Sequence, residues 1–171
     1  IRGHRVRLPL DIMLVASANP DDYTNRGRII TPLKDRFGSQ IRTHYPLEVD
    51  LEYSIMQQEA TTTSVGGVTV EVPDYLGLVV AEFSHLARAS SHVNQRSGVS
   101  VRLSVANYES LAANALRRGL RAGENPVVAR VDDLDALAAS SIGKIEIESM
   151  DDGREGQIFD NLIKGAIHQV F

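Results

Sequence analysis

Ile12-Met13-Leu14-Val15-Ala16-Ser17-Ala18-Asn19-Pro20 decides how the front of this chain is read. Ile12 to Ala16 is apolar without a break, and small residues then lead to an amide and a proline. A strand with one wet face alternates apolar and polar residues. An uninterrupted run reads instead as a strand buried on both faces of a parallel sheet. Pro20 ends it, because proline has no N–H to give to the ladder. Open α/β sheets place their chemistry beyond the carboxyl ends of their strands. Asn19 is therefore the first candidate functional residue, the alternative being a plain turn before proline.

Working outward, Val6-Arg7-Leu8 alternates like one arm of a hairpin, and 21–31 is polar and irregular. Pro32-Leu33-Lys34-Asp35-Arg36-Phe37 suits one or two helical turns opened by proline and closed by Gly38. Gln40 to Tyr45 reads as a second short strand ended by Pro46. Past Pro46 the period becomes helical. Leu47 to Thr63 places Leu51, Ile55 and Met56 on one stripe. Ser64 to Val72 holds Gly66-Gly67 and alternating valines, as a loop or small hairpin does. Pro73-Asp74 opens a helix running to about Ala89, and Ser100 opens another running to about Leu120 and stopped near Gly123. Asp132 is expected to cap a short helix through Ala139. Glu155 to Phe171 sets Ile158, Phe159, Leu162, Ile163, Ala166, Ile167 and Val170 on one apolar face. The expected fold is a piece of α/β sheet, residues 1–46, followed by an all-helical bundle, residues 47–171.

The chain of 171 residues has room for one ordinary domain or two small ones. No apolar run approaches the roughly 20 residues that span a bilayer, and Ile1-Arg2-Gly3-His4-Arg5-Val6-Arg7 is no signal peptide. With no initiator Met, the chain is expected to begin partway through a longer protein. The absence of cysteine excludes disulfides and thiolate metal sites and fits a reducing cytoplasm. Charge is uneven: residues 1–46 hold eight basic and four acidic side chains, a balance of +4, and residues 47–171 hold ten and eighteen, a balance of −8. A basic front on an acidic body suits an anionic neighbour such as nucleotide phosphate, nucleic acid or an acidic subunit, or else is solvated arginine surface.

Three constellations follow in order: Leu14-Val15-Ala16-Ser17-Ala18-Asn19-Pro20, then Leu33-Lys34-Asp35-Arg36-Phe37-Gly38, then Asn94-Gln95-Arg96-Ser97-Gly98-Val99-Ser100-Val101-Arg102-Leu103-Ser104. The first resembles the sensor 1 strand of AAA+ ATPases, and the second the leucine-Asp-Arg-Phe box of magnesium-chelatase and MoxR-type modules. The third resembles the glycine-containing entry to a lid helix bearing sensor 2. With the sheet-to-helix change between the second and third, the whole resembles the C-terminal part of a magnesium-chelatase/MoxR-like AAA+ module.

The resemblance implies roles. Asn19 would hydrogen-bond the attacking water or the γ-phosphate as sensor 1. Arg36 would be the arginine finger reaching from one subunit to the nucleotide of the next, where a planar, permanently charged fork suits phosphate oxygens. Arg102 would be sensor 2, folding onto the γ-phosphate of its own subunit and coupling lid angle to the nucleotide state. Arg26, Arg28 and Arg42 are rivals to Arg36, and each of these residues has an ordinary surface or turn alternative. The implied cofactors are ATP and Mg²⁺, held mainly by residues upstream. The implied assembly is a homo-oligomeric ring, a hexamer in this family, often with a partner carrying a von Willebrand A-type domain.

The phosphate-holding parts are absent from the chain. A P-loop needs G-x-x-x-x-G-K-[ST]. Gly143-Lys144 is followed by Ile145, and Ala138 stands where the first glycine belongs. Val127-Val128-Ala129-Arg130-Val131-Asp132-Asp133 imitates a Walker B strand, but Arg130 breaks its apolar run. The chain alone is therefore expected to bind ATP weakly or not at all and not to hydrolyse it. His4, His44, His85, His92 and His168 lack metal-ligand spacing, although His85 and His92 could share a helix face. No G-x-S-x-G elbow occurs. The expected function is a share in an ATP-driven motor that inserts a metal or remodels a protein client. The alternative is a non-catalytic helical interaction or nucleic-acid-binding module; the −8 balance of the helical half argues against phosphate-backbone binding there.

Overall fold

The computed structural model describes residues 11–18, 31–61, 64–94, 98–147 and 154–171. The chain divides into two compact units, up to Thr43 and from His44 onward.

In the first unit, α1 (Thr31–Lys34) is a single turn, closed by the Phe37 N–H donating to the Lys34 carbonyl at 3.2 Å. The strand expected at Ile12–Ala16 is not found among the described residues: 11–18 carry no strand pairing to any of them, and Ile12, Met13, Leu14 and Val15 are 72%, 89%, 72% and 77% exposed. A parallel strand exists only through its neighbours, and no described residue pairs with this segment. The second short strand expected at Gln40–Tyr45 likewise pairs with no described residue.

The second unit is helical. Its elements are α2 (Val49–Glu59), α3 (Asp74–Ala89), α4 (Val101–Ala122), α5 (Ala136–Ser141) and α6 (Glu155–Val170). A two-stranded parallel sheet joins β1 (Val70–Glu71) to β2 (Val127–Val128), with Val70 opposite Val127 and Glu71 opposite Val128. The strand-like Val127-Val128 thus belongs to a clasp across the helical unit. Gly66-Gly67 turns a small antiparallel bridge between Val65 and Val68.

α3 is the central element. Leu76, Val79, Val80, Phe83 and Ala87 are all completely buried, at the spacing of one helical face. Its helix start is set by Pro73, which occupies the N-cap position. α6 packs on α3 through Phe159, whose ring stacks on Phe83 at 6.5 Å, with Leu162, Ile163, Ala166, Ile167 and Val170 completing the contact. Burying each large apolar side chain contributes roughly 1.5–3 kcal/mol before the entropy of ordering it. α4 is capped at both ends: Ser100 Oγ accepts the Arg102 N–H at 3.2 Å, and Gly123 closes the helix in the left-handed conformation at φ +71°.

Two sequence expectations are corrected in this unit. The inward residues of α2 are Glu52, Tyr53 and Met56, while Leu51 is 52% exposed. The helix is rotated because Glu52 has partners inside the bundle. The turn after β2 is a 3-10 turn, Val131–Asp135, running into α5. Its capping carboxylate is Asp133, which accepts the Arg130 N–H at 2.9 Å; Asp132 is exposed. Asp133 also accepts from Arg118 of α4, which ties it into the bundle, whereas Asp132 faces solvent.

Candidate functional site

Asn19 lies outside the described residues, as do Arg26 and Arg28. Arg36 follows α1 in an exposed turn, and Arg42 is exposed as well. Both belong to the first unit. Arg102 belongs to the second, two residues past the Ser100 cap in the first turn of α4, with its side chain exposed. None of Arg36, Arg42 and Arg102 makes an ion pair with a described residue. Arg102 thus combines a hydrogen-bonded backbone with an uncommitted charge.

Behind Arg102 the structure assembles a charged cluster that helical periodicity does not reveal. Glu52 of α2 is completely buried. Arg88 of α3 grips it with both ends of its guanidinium, Nη1 to Oε2 at 2.5 Å and Nη2 to Oε1 at 2.7 Å. Ser104 of α4 donates to Oε1, and its Oγ lies 2.9 Å from Ser84 Oγ. His85 Nε2 sits 2.9 Å from Oε2 but without the alignment of a hydrogen bond. Ser84, His85 and Arg88 share one face of α3 through their three- and four-residue spacings. A buried carboxylate is tolerable only when paired and hydrogen-bonded, as this one is.

The third nitrogen of Arg88 points at the α4 entry. Its Nε donates to the Val99 carbonyl at 2.9 Å. The guanidinium also lies over the ring of Tyr45, 4.8 Å from the centroid. The Tyr45 hydroxyl in turn occupies the space beside Gly98: a Cβ built there would stand 2.6 Å from it. Gly98 adopts φ +64°, so that position favours glycine by backbone conformation and by space. The segment singled out by sequence as the lid-helix entry is therefore clamped by Tyr45, Arg88 and the Ser100 cap.

A second network fixes the other end of α4. Arg118 donates to Asp133 and Glu124, with Nη1 at 2.9 Å from Glu124 Oε2 and Nη2 at 2.9 Å from Asp133 Oδ2. Nη2 also reaches the Val128 carbonyl at 2.7 Å. The hydrogen bond that Arg118 donates to Asp133 is the main cause holding its guanidinium above its usual pKa. Between the ends, buried Asn107 meets Ser140 and Ser141 of α5, with Asn107 Nδ2 3.2 Å from Ser141 Oγ. These carboxylates serve structure. No group of three or more potential metal ligands gathers among the described residues; His85 is engaged with Glu52, and His92 is exposed. An open groove between α4 and α5 is flanked by Asn114, Arg117, Asp132 and Asp135, with the small apolar side chains of Ala113 and Ala136 between them.

No helix among the described residues is long and apolar enough to cross a membrane. Comparison with protein-family models, with curated proteins and with solved structures finds no match for this chain.

Proposed function

We propose that this chain is the nucleotide-sensing part of an ATP-hydrolysing AAA+ motor of the magnesium-chelatase/MoxR-like kind, completed by phosphate- and Mg²⁺-holding segments elsewhere in a longer parent. The observation carrying this reading is the state of Arg102. It stands in the first turn of a long, well-anchored helix, with a solvent-facing guanidinium and no ion pair among the described residues, and it is the residue to which the sequence resemblance assigns sensor 2. The order of the three sequence constellations supports it, as does the uncovered apolar run Ile12–Val15, which a larger sheet would bury.

In this reading Asn19 holds the attacking water or γ-phosphate without adding charge. Arg36 offers its fork to the neighbouring subunit's nucleotide in a ring. Arg102 reports the γ-phosphate to the lid of its own subunit. ATP and Mg²⁺ supply the phosphoryl chemistry when bound. The output is metal insertion or remodelling of a protein client, in the cytoplasm, with or without a von Willebrand A-type partner.

The test is the specific ATPase rate of the full parent as protein concentration rises. The expected result is a steep increase, because sites completed between subunits need assembly. Arg36→Ala should retain ATP binding and lower turnover by about 10³–10⁵-fold, the span of arginine fingers in other NTPases. Mixed with wild type, it should poison shared sites. Absence of hydrolysis at every concentration overturns the reading and leaves an interaction module.

A further inference from the structure

We propose that Arg88 is the positioning residue for Arg102: it fixes the first turn of α4 to α2 and α3, so that the direction of the Arg102 side chain is set by the bundle. The inference rests on the functional reading above for what Arg102 senses, but its geometry stands independently.

The argument starts from how fully the Arg88 guanidinium is used. Each of its three nitrogens is used: Nη1 and Nη2 donate to Glu52 and Nε to the Val99 carbonyl, while one face covers Tyr45. Glu52 is itself held by Ser104, four residues before Tyr108 on α4 and inside the same bundle. The guanidinium plane is therefore locked from three helices. A locked plane fixes the carbonyl that it binds. Val99 precedes the cap Ser100, whose Oγ holds the Arg102 N–H and whose carbonyl accepts the Leu103 N–H at 2.8 Å. The path from Glu52 through Arg88, Val99 and Ser100 to the Arg102 backbone is continuous: each link is a hydrogen bond except the peptide bond that joins Val99 to Ser100.

Glu52 alone does not require the bond to Val99, because a carboxylate in a core is satisfied by a two-pronged arginine and a serine. The Nε–H instead satisfies the carbonyl of buried Val99 and thereby adds geometric control of the turn into α4. Lysine in this place keeps a positive charge for Glu52, but a single ammonium lacks the planar fork that reaches Glu52 and Val99 together.

The experiment uses Arg88→Lys in this chain and in the parent, with Glu52→Leu/Arg88→Met as a second variant that removes the whole buried pair and leaves no orphaned charge. Hydrogen exchange is followed at the Arg102 and Leu103 amides, with amides of α3 and the middle of α4 as internal references. A positioning role predicts exchange faster by about tenfold or more at Arg102 and Leu103, with the reference amides changed by about twofold or less. In the parent, Arg88→Lys should lower ATP turnover, and it should add nothing further on an Arg102→Ala background, because the two act in series. Exchange that rises equally through α2, α3 and α4, or turnover losses that add, overturns the proposal in favour of a purely structural ion pair. If either variant fails to fold, the other decides. If the wild-type parent lacks ATPase activity, the functional reading falls, and exchange at Arg102 and Leu103 still decides whether Arg88 holds that turn.

Discussion

Tyr53 carries its hydroxyl into the bundle and donates it to Asp74 Oδ1 at 2.8 Å. Burial, followed by that hydrogen bond, pushes its phenol well above the usual tyrosine range. Tyr108, 6.4 Å away between ring centroids, is also raised, first by burial and then by the charge of Asp74. The folded state thus favours both neutral phenols. Their contribution is fully present below the unfolded-state pKa of about 10 and is lost as pH rises from there towards the folded values. The urea midpoint should accordingly fall as pH rises above about 10. Tyr108→Phe should flatten that fall; an equally steep fall in the variant would assign it to other groups. At this scale sequence reading reached Arg36 and Arg102 as chemical candidates and missed Glu52, Arg88 and Ser104. The reason is distance along the chain: Glu52 meets partners 36 and 52 residues away, and no local period encodes such a meeting.

Among the elements, the turn into α4 is the most constrained. Gly98→Ala would place a side chain at φ +64° and against the Tyr45 hydroxyl. The backbone cost is about 1–2 kcal/mol, and displacing Tyr45 adds to it; a lowered urea midpoint checks this. Gly98→Ala combined with Tyr45→Phe should recover only the steric part. The helices themselves were legible. α3 runs to Ala89 as its apolar spacing indicates, α4 stops at Gly123, and α6 buries Phe159 and Ala166 of the face read from sequence. The face of α2 was not legible. The stripe of Leu51, Ile55 and Met56 assumes that only apolar residues turn inward, whereas Glu52 is drawn in by Arg88. Ile12–Ala16 shows the complementary limit: an apolar run states a preference for burial, but a strand needs a neighbour to pair with.

For the whole molecule, the division at Thr43 and His44 has a direct consequence. Every residue of the main buried apolar cluster, from Tyr53 to Ala166, lies in the second unit, and both ion-pair networks lie there too. A chain comprising residues 44–171 should therefore fold by itself, with a helical circular-dichroism spectrum and a cooperative thermal transition. A broad, non-cooperative transition would mean that the first unit supplies stabilising contacts. The same shortened chain lacks Asn19 and Arg36 and should be inert towards ATP. The chemical candidates are read from motif order, whereas the helical scaffold is read from periodicity, and Arg102 stands on that scaffold. The hydrogen bonds that tie the turn of Arg102 to Arg88 and Glu52 are visible only in three dimensions.

The completely buried Glu52 also limits how this chain can change over generations. Removing either member of a buried pair strands the other, at about 3–5 kcal/mol, whereas exchanging both for apolar residues is often neutral or better. Most domains have only about 5–15 kcal/mol to lose. Positions 52 and 88 therefore sit on opposite sides of a fitness valley. Descendants of this sequence should keep both charges or lose both, and a library varied at the two positions should return few singly altered survivors. A fold can record its history in this way: two distant letters of the text become, in effect, one.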